Sequence, residues 1–418
     1  MNGDYSDGLI PAPEWIELVF ADPLNDDEGG FYNLHHVARL RDDVDLDRFA
    51  NALTLATRAQ EMSRVRVERS SSGSVMIRDS GVPFPDVKVE RLPAGCLDAV
   101  RREIIRPFVS LDGPFIRLRL AIIGDEPWFF DCRHHAFCDN LAHHAFCEDA
   151  FRAYQEPGWV PPPDGFFAWA RREYEVLSGP VGEEGRRFWT ERRKRFGNWP
   201  HSPRADRDGS VDRSDEPQQR EFPLPWPLAT LESTSAALGT TVNALTTGAF
   251  LRTLASDNGA DRALAAWTCR GRGARNRRLG TALLRDYDIA LETGGDAVDF
   301  LGRVRAELNA GMRHPYGYTC CRCNFFNDDF DDVSFVNVQL AAPNPPVFVS
   351  DPRESYGPLS DCSDRFDLHL LTDGAVITKC LVKYMADYYS VDRVCDFVEK
   401  YFNELSVFIR EAHIPIGR

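Results

Sequence analysis

Segments with strand-like and helix-like patterns alternate along most of this 418-residue chain. The first set ends at a Pro/Gly-rich break over residues 156–163, and two helical segments follow it. A polar stretch over residues 201–219 comes next, after which strands and helices begin again. Because a chain of this length is too long for one compact core, the pattern predicts two α/β lobes joined through the polar stretch.

The predicted domain boundaries follow these two breaks. We place a first lobe at residues 1–165, a helical connection with a loop at residues 166–220, and a second lobe at residues 221–418. Both lobes mix strands with helices, so the predicted fold class is α/β in the broad sense that includes α+β.

Charge and composition exclude several classes of partner. The net charge is −15, whereas proteins that bind nucleic acid carry a basic face. Residues 1–7 lack the basic and apolar regions of a signal peptide, and no uninterrupted apolar run reaches 18 residues. The eleven cysteines are scattered, which indicates reduced thiols. We therefore expect a cytoplasmic protein without a nucleic-acid or membrane partner.

Two adjacent histidines stand just before an aspartate, as His134, His135 and Asp139. They follow an apolar run over residues 127–130 and precede an amphipathic segment over residues 141–154. This context predicts that a strand delivers the histidines, the aspartate closes a turn, and a helix follows. Such an arrangement holds an imidazole rigidly at the end of a buried strand, as a general base requires.

The pentapeptide His-His-Ala-Phe-Cys occurs twice, at residues 134–138 and 143–147. Histidine and cysteine are zinc ligands, but the stretch lacks the Cys-x-x-Cys and His-x-x-x-His spacings of zinc sites. On a helix, His143 and His144 point in different directions. We therefore predict no metal site and expect His143 and His144 to lie on the helix surface.

The run His-His-x-x-x-Asp, with Phe146, Asp149 and Tyr154 behind it, resembles the central motif of condensation domains of nonribosomal peptide synthetases. These domains belong to the chloramphenicol acetyltransferase-like superfamily. Weaker matching blocks extend over most of the chain. They lie at residues 11–15, 45–53 with Arg64, 166–189, 267–280, 334–339 and 366–368.

The resemblance implies two lobes in a V shape, with a tunnel in which two tethered substrates meet at the second histidine. That residue is His135 in this chain. It would orient or deprotonate an amine or hydroxyl that attacks a thioester carbonyl, since a neutral imidazole can accept a proton. The enzyme itself would bind no cofactor, because its substrates are carried on the phosphopantetheine of a carrier protein.

The resemblance also implies roles for neighbouring residues. Asp139 would pair with an arginine from the other lobe, with Arg272 as the first candidate and Arg270 as the second. His134 would pack or position, and Asn337 would line the tunnel.

Asn140 is a departure inside the central motif, because the family usually has glycine there. Asparagine tolerates a left-handed backbone better than most residues, so the turn can still form. Residues 284–289 also replace the Asn-Thr-Leu-Pro-Leu-Arg tail of the family. These departures affect substrate choice, and Asn140 joins Asn337 as a candidate tunnel residue.

The predicted activity is transfer of a carrier-tethered aminoacyl or acyl group to an amine or alcohol, giving an amide or ester in natural-product biosynthesis. The acceptor would be a small molecule or a carrier-bound group. The starting methionine and the short tail after the last block predict a free-standing enzyme. We also expect it to be a monomer. Two alternatives stay open: an inactive relative that recruits another biosynthetic enzyme, and an acyltransferase that uses coenzyme A thioesters.

Overall fold

The computed structural model describes most of the chain and divides it into two compact units. The first unit comprises Met1–Pro180, Gly271–Leu284 and Ala342–Asp361, and the second comprises Val181–Arg270, Arg285–Ala341 and Cys362–Arg418. The described residues are 8–21, 32–71, 73–108, 111–196, 198–207, 218–273, 276–318, 333–340, 347–349, 366–372 and 377–412.

Helices and strands alternate in both units. The helices are α1 (Glu14–Ala21), α2 (Leu46–Ala59), α3 (Leu97–Ile104), α4 (Asn140–Gln155), α5 (Phe166–Leu177), α6 (Pro180–Phe196), α7 (Leu228–Ala237), α8 (Val242–Asp257), α9 (Ala297–Arg313) and α10 (Val391–Glu411). The strands are β1 (Ile10–Pro11), β2 (Asn33–Arg39), β3 (Val65–Arg69), β4 (Val75–Asp79), β5 (Val89–Leu92), β6 (Ile116–Ile123), β7 (Glu126–His134), β8 (Gln218–Phe222), β9 (Arg262–Arg270), β10 (Leu284–Glu292), β11 (Phe335–Leu340), β12 (Phe366–Thr372) and β13 (Ile377–Tyr384). Short 3-10 helices cover Glu61–Arg64 and His135–Phe137.

Two of the three sheets in the described residues mix parallel and antiparallel pairs, and the three-stranded sheet is antiparallel. A three-stranded sheet has the order β1-β4-β3, and a four-stranded sheet has the order β2-β7-β6-β5. In the latter, β5 runs parallel to β6, and the other pairs are antiparallel. The six-stranded sheet of the second unit has the order β10-β9-β11-β12-β13-β8. The predicted fold class is therefore confirmed in its α+β form.

Strand β7 directs alternate side chains to two different layers, because successive residues of a strand point to opposite faces. Trp128 and Phe130 pack with α3, whereas Phe129 packs with α2 and α4. Asp131 and Arg133 share the parity of Phe129, so they face α2 and α4 as well. Their polar side chains therefore enter the layer in which the second His-His-Ala-Phe-Cys segment lies.

In the second unit, the apolar faces of α8 and α10 pack on the six-stranded sheet. Phe250, Phe397 and Tyr401 are fully buried between these helices and the sheet residue Phe366. Across the described ranges, no helix is long and apolar enough to cross a membrane.

The compact units depart from the predicted boundaries in the connection, which is divided between them after Pro180, and at two segments of the predicted second lobe. The segment Gly271–Leu284, which the sequence assigned to the second lobe, belongs to the first unit. A hydrogen bond from Gly280 N to Asp164 Oδ2, 2.8 Å long, holds it there. The backbone at Gly280 also packs closely on Gln60, because a Cβ at this position would lie 2.7 Å from the Gln60 amide. Val347 also joins the first unit, where its carbonyl accepts from Arg41 N at 3.0 Å. The V shape and the tunnel stay predictions.

Candidate active site

His135 lies where β7 ends and the chain turns into a short 3-10 helix. Its backbone N–H donates to the Tyr32 carbonyl at 2.6 Å, and its Nδ1 lies 2.7 Å from the Cys138 carbonyl oxygen. A carbonyl only accepts hydrogen bonds, so Nδ1 carries the proton of the neutral ring and Nε2 carries the lone pair. The local turn therefore selects the tautomer in which Nε2 is basic.

Trp15, on α1, holds the same residue from another side. Its indole Nε1 donates to the His135 carbonyl at 3.1 Å. The two rings meet edge to face, with centroids 5.2 Å apart and an angle of 71°. His135 is only 7% exposed, so both its backbone and its ring are restrained. The sequence places Trp15 in the opening block of the resemblance but carries no signal that assigns it to the site.

His134 lies in an aromatic cluster beside the site. Its ring stacks almost parallel on Phe20, with centroids 5.1 Å apart, and meets Phe115 edge to face at 5.7 Å. Burial, with a smaller contribution from His135, lowers the pKa of His134 to about 3. Its Nδ1 accepts from Ala136 N at 3.2 Å. His134 is therefore neutral at ordinary pH, and its contacts are those of a packing residue.

Asp139 accepts three hydrogen bonds and is 4% exposed. Its Oδ1 caps α4 by accepting from Ala142 N at 2.7 Å, and it also accepts from Arg272 Nη2 at 2.7 Å. Its Oδ2 accepts from Leu283 N at 2.9 Å. A carboxylate held in this way is a structural anchor, because hydrogen-bond donors occupy both of its oxygens.

The partner of Asp139 is the first-ranked candidate, Arg272. The predicted boundaries place Arg272 in the second lobe, whereas its loop, which follows β9, belongs to the first compact unit together with Asp139. Arg272 also donates to the carbonyls of Leu279, at 2.7 Å, and Thr281. The ion pair thus fastens this loop to the N-terminus of α4. The side chain of Arg270 lies outside the described residues.

The two asparagines predicted to line a tunnel lie in different units. Asn140 is the first residue of α4, after the cap Asp139. A residue there has a helical backbone, so the left-handed conformation considered from the sequence is not needed at Asn140. Asn337 lies half-buried on β11 in the second unit, in register with His369 of β12. The tunnel-lining roles of both asparagines stay predictions.

The two histidines of the second pair differ in exposure, and His143 does not lie on the helix surface. His143 is 9% exposed, and its Nδ1 lies 3.1 Å from Asp131 Oδ2. His144 is partly exposed and lies 3.4 Å from the exposed Glu148. The surface expectation is therefore wrong for His143, because α4 packs that side of its first turns onto β7. Within the described ranges, no group of three or more His, Cys, Asp or Glu residues has a metal-binding arrangement.

Comparison with known proteins adds the fold to this local geometry. No protein-family model matches the chain. The chain is 24% identical over 183 residues to the HC-toxin synthetase of Cochliobolus carbonum, which covers 43% of this chain. That match spans only 3% of the synthetase, so the chain corresponds to a small part of that relative.

Two solved structures have the same fold along nearly the whole chain. One is the condensation domain of the monacolin K polyketide synthase, with a TM-score of 0.76 and 15% identity over 98% of this chain and 99% of that one. Another is the epimerization domain of the third module of tyrocidine synthetase B, with a TM-score of 0.76 and 14% identity over 97% and 98% of the two chains. The resemblance to condensation domains is thus confirmed, and the chain has their fold.

Proposed function

We propose that this protein is an acyltransferase that joins a carrier-tethered aminoacyl or acyl group to an amine or alcohol, with His135 as the general base. The observation that carries this proposal is the hydrogen bond from His135 Nδ1 to the Cys138 carbonyl, 2.7 Å long. It selects the tautomer with a basic Nε2, in a ring that Trp15 also restrains. The condensation-domain fold supports an acyl-transfer reaction, although fold alone does not assign an activity.

The proposed step needs no covalent enzyme intermediate. The acceptor nitrogen or oxygen attacks the thioester carbonyl carbon while Nε2 of His135 takes the proton of the attacking group. The bond between the carbonyl carbon and the sulfur breaks, and the leaving carrier thiolate takes the proton held on His135 Nε2, which restores the base. Asp139 does not take part in proton transfer, because its oxygens are bound by Arg272, Ala142 N and Leu283 N. It acts by keeping the turn that carries His135 in place.

The test is single-turnover transfer from an acylated carrier protein to a panel of amines and alcohols, followed by intact-mass measurement of the carrier. We expect loss of the acyl group from the carrier and an amide or ester product that depends on His135. His135→Ala should retain carrier binding and lose transfer. Equal transfer by the wild type and His135→Ala would overturn the assignment of the base.

Three other outcomes would replace the proposed activity. Transfer from coenzyme A thioesters, with none from the carrier, would make the protein a coenzyme A-dependent acyltransferase. Inversion of a carrier-bound aminoacyl group without transfer would indicate epimerization, since an epimerization domain shares this fold. Stable binding to a tailoring enzyme, with neither reaction, would favour the recruiter hypothesis.

A further inference from the structure

The carboxylate of Asp164 joins three segments of the first unit. Its Oδ2 accepts from Gly280 N at 2.8 Å. Its Oδ1 accepts from Glu61 N and from Phe166 N, each at 3.2 Å. One side chain thus ties the loop Gly271–Leu284 to the 3-10 helix that follows α2 and to the start of α5.

A second carboxylate, that of Glu61, binds the same end of α5. Its Oε2 accepts from Phe167 N at 3.1 Å. Glu61 and Asp164 therefore occupy N–H groups in the first turn of α5, where the helix dipole favours negative charge. Asp164 differs from Glu61 in that its second oxygen accepts from the loop residue Gly280.

Asp164 can hold the loop because it is ionised at neutral pH. Burial raises its pKa to about 6, although the N–H groups of Gly280, Glu61 and Phe166 act to lower it. Above about pH 7 both oxygens of the side chain therefore only accept hydrogen bonds. An amide in its place would present an N–H group to Gly280 N, and two donors form no hydrogen bond with each other.

The loop has little room to move at Gly280. The Gln60 side chain lies against it, so closely that a Cβ on Gly280 would meet the Gln60 amide at 2.7 Å. Gln60 Oε1 in turn accepts from Arg133 Nη1 at 2.7 Å, and Arg133 lies on β7, two residues before His135. Gly280 is thus held between Asp164 and a residue that is bound to the strand leading to His135.

Leu279 and Leu283 connect the position of the loop to the turn that carries His135. Both leucines are buried in the hydrophobic cluster that contains Ala136 and Phe137. Those two residues form the short 3-10 helix together with His135. A shift of the loop would therefore change the packing under His135.

We propose that Asp164 is a positioning residue for acyl transfer, which holds the loop Gly271–Leu284 in the place where it supports the His135 turn. This role rests on the proposed function. The loop is also bound to Asp139 through Arg272, so loss of the Asp164 contact displaces the loop without releasing it. A misplacement of about 1 Å can slow a reaction by about 100-fold, so a partial displacement should lower kcat and leave carrier binding nearly unchanged.

Two isosteric substitutions separate the loop contact from the capping of α5. In Asp164→Asn, the amide oxygen can still accept from Glu61 N and Phe166 N, whereas the amide nitrogen faces Gly280 N and forms no hydrogen bond with it. Glu61→Gln is the matched control. It removes the same charge from the same helix end, and its amide oxygen can still accept from Phe167 N.

Two measurements on the whole protein above about pH 7 test the role of Asp164. Hydrogen exchange over residues 276–284, read by mass spectrometry, reports the attachment of the loop and requires no activity. We expect these amides to exchange about tenfold faster in Asp164→Asn than in the wild type. Transfer from an acylated carrier protein should show a kcat about tenfold lower and a KM within about twofold. Glu61→Gln should change neither the exchange nor the transfer.

Gly280→Ala disturbs the same contact from the side of the loop, because the added Cβ meets Gln60. Its kcat should fall by a similar factor. Asp164→Asn and Gly280→Ala together should be little slower than the slower single variant, since both break one contact. A double variant whose loss is the product of the single losses would contradict this shared contact.

Four further results would overturn the role of Asp164. Loop exchange could be unchanged in Asp164→Asn, or it could be faster while kcat stays the same. An equal loss of kcat in Glu61→Gln would assign the effect to the charge at the start of α5. Absence of transfer by the wild type would refute the proposed function, and this role with it. An active wild type with an equally active Asp164→Asn would refute the role of Asp164 alone.

Discussion

The two His-His-Ala-Phe-Cys segments are identical in sequence and differ in almost every physical property. In the first, His134 is neutral in an aromatic cluster, and His135 is restrained at the turn. In the second, His143 is buried with a raised pKa, and His144 is partly exposed. The first segment spans a strand end and a 3-10 turn, whereas the second lies inside α4. The chemistry of a histidine therefore follows from the element that carries it and the charges packed against it.

The largest expected effect separates the second histidines of the two segments. His135→Ala should lower the single-turnover transfer rate by about 100-fold or more, because a general base contributes on that scale. His144→Ala should change it less than about twofold, because His144 is partly exposed and lies 3.4 Å from the exposed Glu148 of its own helix. Equal losses of transfer rate in the two variants would contradict the assignment of His135 as the general base.

The residues that follow the two segments offer a matched pair for stability. Asp139→Asn should lower the free energy of unfolding by about 3–5 kcal/mol, because it leaves the buried Arg272 without its counterion. Glu148→Gln should change it by less than about 1 kcal/mol, since the Glu148 side chain is 58% exposed. Urea unfolding monitored by circular dichroism measures both. A small loss for Asp139→Asn would mean that the loop carrying Arg272 is not held by this pair.

The first histidines of the two segments should give opposite pH dependence of stability. The folded-state pKa of His143 is raised to about 9, so its contribution is fully present below its ordinary pKa near 6.5 and is lost as the pH rises through about 9. The folded-state pKa of His134 is lowered to about 3, so its contribution is present above about 6.5 and is lost as the pH falls toward about 3.

Comparison with single variants isolates these two contributions. The stability difference between the wild type and His143→Gln should shrink from pH 6.5 to 9. His134→Phe keeps an aromatic ring against Phe20. The wild type should lose stability relative to this variant as the pH falls below 6.5. Thermal unfolding across this pH range gives both differences. Parallel pH curves for the two variants would contradict the assigned charge states.

The smallest expected effect concerns Trp15, which contacts His135 of the first segment. Trp15→Phe keeps a ring but removes the hydrogen bond to the His135 carbonyl, so kcat should fall about fivefold while KM changes little. Trp159→Phe, near the end of α4, should leave both constants unchanged. A rise in KM alone for Trp15→Phe would indicate a substrate contact and not restraint of the histidine.

Much of the local structure was predictable because its signals are local. The apolar run before His134 marks β7, and the segment behind Asp139 marks α4. The amphipathic spacing of residues 45–60 matches α2, which Asp45 caps by accepting from Arg48 N. Strand β10 was missed because Leu284–Glu292 interrupts its apolar residues with charged ones, which hides a strand signal. In addition, residues 284–289 do not match the family motif that is expected at this place in the sequence.

The chain's own pattern determined the strand, turn and helix around His135, the mixed α/β class and the resemblance that ranked Arg272 first. Each of these depends on neighbours a few residues apart or on a motif that can be read directly. Tertiary packing alone decided that Arg272 pairs with Asp139 inside one unit, across 133 residues of sequence. It also decided that His143 lies buried against Asp131, because burial and the charges of distant residues set the ionisation of a histidine, and no local pattern encodes them.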